Sequence, residues 1–513
     1  MSRLIEWYFK ADWDRDGTFD DESANLISAS GQMRLMAPGE ALTGGRGVID
    51  EAMVILHNTD QRYNPDYAAG PLYAYLQNGG GYQIPAFLSV SVTNTGMSEA
   101  ATYHRLITGI ITIPKDQPAS VNSGSVAQFT IRSRDELIRE HKLSTALRQN
   151  YTEADNIVYA LQAAGFVDGT DFFTPATAAS QSPPVMPTID PGLHTIPAFY
   201  LDDEAVLPEL WDLAASCGGW FYCDPDGLFN YASATRWLNE DTPSYFLDPG
   251  KWGGYSKGYN DGNLVKTVVV ELSPMNELTE AVLWESDEIV TVAAGATKTI
   301  TAKLRQPATS IYGMVSAVDW RAVTSGGSDI TSSVTISLTK YAQRVEMTVH
   351  NNHGWRTAFL VRLQLRGVGL DGRPGQQVEV TSTDSFWTDR TPRKLTTSGF
   401  YIQTYAQAKF LADFHIDRHE QPTMFHSITG LPGRPAMRLG QQVAISLEAG
   451  VITPSTRYAH VYEIRWRLSR QGFSQDVELV DRERLYAYAT ASPVKPYFRL
   501  GATALGTAGR YFY

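Results

Sequence analysis

The densest set of metal-binding side chains lies at residues 12–20 (DWDRDGTFD), where Asp12, Asp14, Asp16 and Asp20 stand around Gly17. Oxygen ligands at alternate positions, with glycine for the sharp turn, make up the first half of a calcium loop. Such a loop is completed by a bidentate glutamate at its twelfth position. Here that position is Ser23, with Glu22 one place early, and no helix pattern flanks the segment. The residues predict an acidic β-turn that folds without calcium. The four aspartates are the one metal candidate, and no resident metal or cofactor is expected.

The remaining reactive side chains are spaced for structure. His415 and His419 are four apart, so a helix would put both on one face within reach of a metal. No glutamate stands where a zincin needs it, and a helix C-terminus favours imidazole in any case. His350 and His353 in HNNHG fit a turn. Cys217 and Cys223 are the two cysteines, without neighbouring histidines. That pattern suits buried thiols better than zinc ligands, a disulfide framework or a nucleophile. Asp202 and Asp203 are adjacent, which suits helix capping and not the flanking of a glycosidic bond. No G-x-S-x-G or phosphate-cradling loop occurs. No catalytic residue and no hydrolase activity are therefore expected.

The elements that position these residues are organised around residues 202–237. Asp202 and Asp203 are the expected N-cap, Pro208 suits the first turn, and Leu207, Leu210, Trp211 and Ala214 form one stripe. Gly218 and Gly219 end the helix, and a hairpin follows, with strands at 220–223 and 228–231 around the turn Asp224-Pro225-Asp226-Gly227.

At 513 residues the chain exceeds what one core usually supports, so several domains are expected. It has 11% aromatic residues, 42 glycines and 26 prolines, an ordered, turn-rich and β-leaning composition. A net charge of −12 argues against a face built to grip nucleic-acid phosphates, although DNA can pass an acidic surface. Residues 1–14 have no signal-peptide core, and no later run reaches the ~18 apolar residues of a membrane helix. Synthesis and folding in a cytoplasm are expected.

The pattern predicts a mainly β, multidomain chain with a minor α+β domain. Residues 1–135 read as a β-barrel or sandwich and 136–247 as the α+β domain. Within the latter, helices are expected at 134–147 and 152–164, the second with a Thr152/Asp155 capping box and Gly165 at its end, and a long surface loop at 173–197. Residues 248–285 and 371–488 read as a second barrel with a helix at 400–419, its stripe formed by Ile402, Ala406, Phe410 and Phe414. Residues 286–370 are Thr/Val-rich alternating strands, an inserted β-sandwich. The tail, 489–513, holds Tyr497, Phe498, Leu500, Leu505, Tyr511 and Phe512, too apolar to stand free and predicted to pack on a neighbour.

Three stretches, in this order, resemble the baseplate hub or tail-tip proteins of long-tailed, siphovirus-like bacteriophages. The first is WYFKADWDRDGTFDD followed by AMVILHNTDQRYNP, with Leu56-x-Asn58-x-Asp60-x-Arg62-Tyr63-x-Pro65. The second is LWDLAASCGGWFYCDPDGLFNY. The third is residues 289–367, with Ala294-Gly295 and the strand end His350-Asn351. The resemblance implies two tube-like β-barrels per subunit and a homotrimer, giving six positions to match a hexameric tail tube. Implied partners are the tail tube and distal tail protein, the tape measure protein, and a tip fibre or spike. DNA would pass through the lumen without specific binding during ejection into the host cell, and no stable membrane insertion is implied. The implied location is the virion tail tip, after synthesis and assembly in the host bacterial cytoplasm. Some such hubs carry a fused lysozyme or peptidase domain; none is expected after Tyr488. The runner-up is a secreted or virion-associated glycan-active or receptor-binding protein.

Overall fold

Where apolar and polar residues alternate, the chain forms strands, as in Val126–Ser133, whose buried positions fall at every second residue. The computed structural model describes residues 3–35, 47–58, 60–64, 67–73, 83–94, 102–112, 126–236, 243–248, 252–259, 264–372, 375–388, 390–420, 422, 424–446 and 457–481. Strands take 49% of it and helices 14%, so the chain is mainly β.

The first and last β regions, expected as separate barrels, belong to one 13-stranded sheet. From one end its order is Gly254–Tyr259, Met424–Pro432, Gly472–Asp481, Arg457–Ser469, Leu26–Arg34, Glu51–His57, Val126–Ser133, His104–Thr112, Gln83–Asn94, Arg3–Ala11 and Asp20–Asp21. Tyr245–Leu247 and Gln442–Ile445 join beside Arg457–Ser469. The seam between the halves is antiparallel, from Glu463 opposite Arg34 to Ser469 opposite Ser28. A partly buried ion pair, Arg34 to Glu463 at 2.5 Å, ties its end. Both halves share one core, in which Phe9, Trp13, Leu56 and Ile131 join Ile464, Trp466, Val477 and Leu479. Among the described residues the path does not close on itself.

The segments expected as the second barrel divide among three sheets: the large one, a three-stranded one, and, for Met275–Glu285, the sheet of the inserted unit. Thr267–Leu272 pairs with Gln376–Thr381 and, in parallel, with Lys394–Ser398. This three-stranded sheet packs its valines against the helix Tyr405–His419. Residues 275–372 form two further sheets. In one, the long strand Ala358–Gly372 pairs with Met275–Glu285, Val290–Val292, Ala308–Ile311 and Trp320–Val323; in the other, Arg344–Asn351 lies between Thr297–Lys303 and Val334–Lys340. Val345, Met347 and Val349 share a core with Leu360, Leu363 and Leu365, so the two sheets are bound face to face by apolar burial.

Besides helical residues 71–73, the α-helices among the described residues are α1 (Glu136–Arg139), α2 (Glu153–Ala163), α3 (Pro175–Ser180), α4 (Val206–Ala215) and α5 (Tyr405–His419). Around α2 the expectation holds: Thr152 and Asp155 exchange both hydrogen bonds of a capping box, and Gly165 takes φ +93°. Four expectations are corrected. The helix expected at 134–147 stops after one turn, because Lys142–Ser144 pairs with Asp202–Ala205. That pairing also removes Asp202 and Asp203 from the helix; Ala205 is the N-cap of α4, with no side-chain cap. Residues 173–197 are more than a surface loop, since they contain α3 and bury Thr188, Ile189 and Ile196. In α5, Ala406 is exposed and Phe410 half-buried. The helix instead buries Gln407, Ala408, Leu411, Ala412 and most of its last two turns, because sheet and hairpin flank it on different sides.

The hairpin stands as expected, Trp220–Cys223 against Phe229–Ala232, with every residue of both strands buried and Gly227 at φ +87°. Leu207, Leu210 and Ala214 are buried beneath it, and Leu213 as well; Trp211 is half-buried and donates its Nε1 hydrogen to the Phe221 carbonyl at 3.1 Å.

Candidate functional site

The acidic turn gathers three of its four aspartates. Carboxylate oxygens of Asp12, Asp14 and Asp16 lie within 4.8 Å of one another, the only such acidic group among the described residues, and Asp20 is outside it. The turn's own backbone accounts for this arrangement. Asp12, 3% exposed, accepts from Asp16 N at 3.1 Å and Gly17 N at 3.0 Å with its two carboxylate oxygens. Asp16 accepts from Thr18 N at 2.6 Å. Arg15 and Gly17 take positive φ, so the chain curls around the Asp12 carboxylate. Burial and the nearby Glu22 push the Asp20 carboxyl up.

Glu22, one residue early for a calcium loop, has a different task. It is 1% exposed, and both its oxygens are occupied. Trp13 Nε1 donates to Oε1 at 3.1 Å and Arg62 Nη2 donates to it at 2.8 Å. Tyr63 donates its hydroxyl to Oε2 at 2.5 Å, and Asn25 Nδ2 donates at 2.8 Å. Burial alone would raise this carboxyl; the hydrogen bonds from Tyr63, Arg62 and Asn25 outweigh it and hold Glu22 below the ordinary glutamate value. Burial, then the same hydrogen bond, drive the Tyr63 phenol upward. Above the carboxylate, the rings of Trp13, Tyr63 and Phe129 meet pairwise at centroid distances of 5.5–5.7 Å. Asn58 Oδ1 accepts from Tyr63 N at 3.0 Å, and Asp60 Oδ1 from Arg62 N at 3.1 Å. The tryptophan, the acidic turn and the Asn58-x-Asp60-x-Arg62-Tyr63 segment are therefore one structural unit knotted at Glu22. Pro65 lies outside the described residues.

The other candidates are structural groups, buried except for His350 and His353, which are half-buried. His415 and His419 share a face of α5, with ring centroids 6.1 Å apart. His415 is 1% exposed, and burial together with Arg418 lowers it to about 3, so the ring is neutral. Burial lowers Arg418 to about 10; its guanidinium lies 5.3 Å from the Trp220 ring. Both thiols are raised well above their ordinary value by burial. Gln407 Nε2 donates to the Ser216 carbonyl at 2.8 Å and to Cys217 Sγ at 3.4 Å, which fixes α5 to the turn after α4. His350, expected in a turn, is the second-last residue of the strand Arg344–Asn351 and shares a 2.8 Å hydrogen bond with Thr297 Oγ1, whereas His353 lies in the loop that follows.

Sequence reasoning missed the buried carboxylates. Glu153, fully buried, accepts from Leu193 N, His194 N and the Tyr231 hydroxyl, so it holds α2, the 173–197 segment and the hairpin together. Asp50 and Asp135 are buried where the large sheet meets the hairpin. Asp50 Oδ1 accepts from Arg34 N at 3.0 Å, and burial, then Asp135, raise its carboxyl. Burial raises Asp135 to about 6.

No family model and no curated protein matches the sequence. In fold, the chain is similar to a tail protein from Neisseria meningitidis MC58 (TM-score 0.45, 10% identity, covering 94% of this chain and 97% of that one). It is also similar to the 43 kDa tail protein of prophage MuSo2 from Shewanella oneidensis (TM-score 0.44, 10% identity, 94% and 99%). A third similarity is to an E. coli component of the type VI secretion system, described as resembling T4 bacteriophage tail proteins (TM-score 0.38, 10% identity, 93% and 78%).

Proposed function

We propose that the chain is a structural hub protein of a bacteriophage tail tip, a non-enzymatic homotrimeric adaptor between the hexameric tail tube and a distal fibre or spike. The observation that carries this reading is the seam between Leu26–Arg34 and Arg457–Ser469. It fixes two β units of one chain side by side through backbone hydrogen bonds and a shared core, so three chains would supply six such units around an axis. In this reading residues 1–135 are one tube-like unit, and Tyr245–Leu247 with the strands of 254–259 and 424–481 form the other. Residues 136–236 and 275–372 lie outside the ring. The Glu22 knot, which unites the residues of the first motif, supports it from the sequence side. The distal tail protein and the tape measure protein are the neighbours such a hub would touch. The net charge of −12 suits a lumen that lets DNA pass without holding it.

Light scattering on the purified protein, with imaging of gold-labelled protein on virions, tests the proposal. A trimer and a label at the tail tip are expected. A monomer at tail-like local concentration, or a label elsewhere, overturns it. Cell-wall zymography should show no lysis band. A second reading, glycan recognition by the chain, is favoured by one specific feature.

A further inference from the structure

Trp355 is 80% exposed, the most exposed tryptophan among the described residues. It is also held in place. Asn351, fully buried just before it, donates through Nδ2 to the carbonyls of Val292, Ala293 and Arg356, and its Oδ1 accepts from His353 N at 3.0 Å. Asn352 N donates to the Ser333 carbonyl and Gly295 N to the His353 carbonyl, so two neighbouring turns brace the same loop. The His353 ring meets the indole at 4.9 Å and 86°, an edge contact that steadies the ring while covering little of it. A large apolar side chain is thus fixed in water, and fixing it beforehand lowers the ordering cost of binding.

The surroundings select the ligand. A protein interface buries a cluster of apolar anchors. The larger apolar partners of this loop, Val292 and Val334, are buried; the others are small or polar, among them Thr297, Ser333, Gly295 and Ala293, and residues 350–357 (HNNHGWRT) contain no other large apolar side chain and no acid. Arg356, next to Trp355 in the chain, and Asn352, three residues before it, are exposed and carry donors; Asn352 Nδ2 donates one hydrogen to Thr335 Oγ1 at 3.4 Å and has a second. An exposed aromatic face with donor-bearing residues close to it in the chain suits a molecule with an apolar C–H face and an oxygen-rich rim. The partly positive hydrogens of a pyranose ring complement the negative face of an indole, and its hydroxyl oxygens accept from amide and guanidinium.

We propose that residues 352–357 form a glycan-binding site in which a pyranose ring stacks on Trp355 and hydrogen-bonds to Asn352 and Arg356. This site does not depend on the tail-hub reading.

Saturation-transfer NMR with the full chain tests it, using cellotetraose and chitotetraose as probes up to about 10 mM, a decade above a millimolar dissociation constant. Transfer to the pyranose C–H protons of at least one probe is expected. Trp355→Ala should abolish it, Trp355→Phe should retain part, and Arg356→Ala should weaken it. Melting temperatures should not change, since the indole is exposed. Absence of transfer to both probes with wild-type protein overturns the proposal, as does undiminished transfer with Trp355→Ala. If no probe binds and Trp355→Ala instead lowers self-association, the indole belongs to an interface between copies and the glycan assignment is withdrawn.

Discussion

The indole of Trp466 lies directly across Gly31, its partner in the strand register, so closely that a Cβ on Gly31 would stand 2.5 Å from Trp466 Cζ2 and 2.9 Å from the Glu51 carbonyl oxygen. Gly31 is on Leu26–Arg34 and Trp466 on Arg457–Ser469, so this contact sits on the seam between the two β regions. Gly31→Ala should destabilise the chain by about 1–3 kcal/mol, because both a packed ring and a backbone must give way. Trp466→Leu should cost at least as much through lost burial, but the double variant should cost less than the sum, since the smaller side chain vacates the space. Chemical denaturation of the four proteins measures this; strict additivity would show that the two residues do not share the site.

Glu22 should be the single most sensitive residue of the first motif. Glu22→Gln keeps the size but removes the charge that Arg62 and Tyr63 address, at a cost of about 3 kcal/mol. Arg62→Ala should cost under about 1 kcal/mol, since that side chain is 41% exposed and solvent screens its ion pair. The folded value of Glu22 lies below its ordinary 4.5, so its contribution is full above pH 4.5 and is lost as the pH falls beneath it. The gap between wild type and Glu22→Gln should therefore close at acid pH. Melts from pH 3 to 7 decide the matter, and a gap that widens on acidification would refute the assignment.

These two contacts mark where the sequence is legible. Local signals carried the hairpin at 220–232, the α2 capping box and the mainly β class, because a turn, a cap or an alternation is written in neighbouring residues. The seam is not local: Arg34 and Glu463 are 429 residues apart. Nor is the role of Glu22, whose partner Arg62 is 40 residues on, so that in sequence it resembled a misplaced ligand. The failed helix at 134–147 has the same cause. Its pattern is amphipathic, but a strand partner 58–63 residues away claims residues 142–144, and tertiary pairing outweighs propensity. The apolar tail at 493–513 lies outside the described residues.

For the acidic turn, the two roles of its aspartates separate by mutation. Asp12→Ala removes the acceptor for Asp16 N and Gly17 N and should cost about 1–2 kcal/mol, as loss of a cap does. Asp14→Ala, at an exposed position, should be nearly neutral. Adding calcium or a chelator should leave the melting temperature of both variants and of wild type unchanged. A calcium-dependent rise in wild type that Asp14→Ala abolishes would show instead that the turn is a metal site.

Two buried groups should pull the pH dependence of stability in opposite directions. His415 is neutral in the fold, lowered from 6.5 to about 3, so its contribution is full above pH 6.5 and is lost as the pH falls towards 3. Asp135 is raised from 3.8 to about 6, with one carboxylate oxygen lacking a hydrogen-bond partner among the described residues. Its contribution is full below pH 3.8 and is lost as the pH rises to about 6. Each group contributes a slope of at most about 1.4 kcal/mol per pH unit. Asp135→Asn removes the buried charge, so it should stabilise the protein at pH 7, by at most about 3 kcal/mol, and the gain should vanish below pH 3.8. His415→Gln should flatten the acid limb between pH 6.5 and 3 without altering the Asp135 limb. Denaturation midpoints across pH 3–8 measure both. An Asp135→Asn protein less stable than wild type at pH 7 would mean that the ionised carboxylate is held by partners strong enough to offset its burial, and the sign of that limb would be reversed.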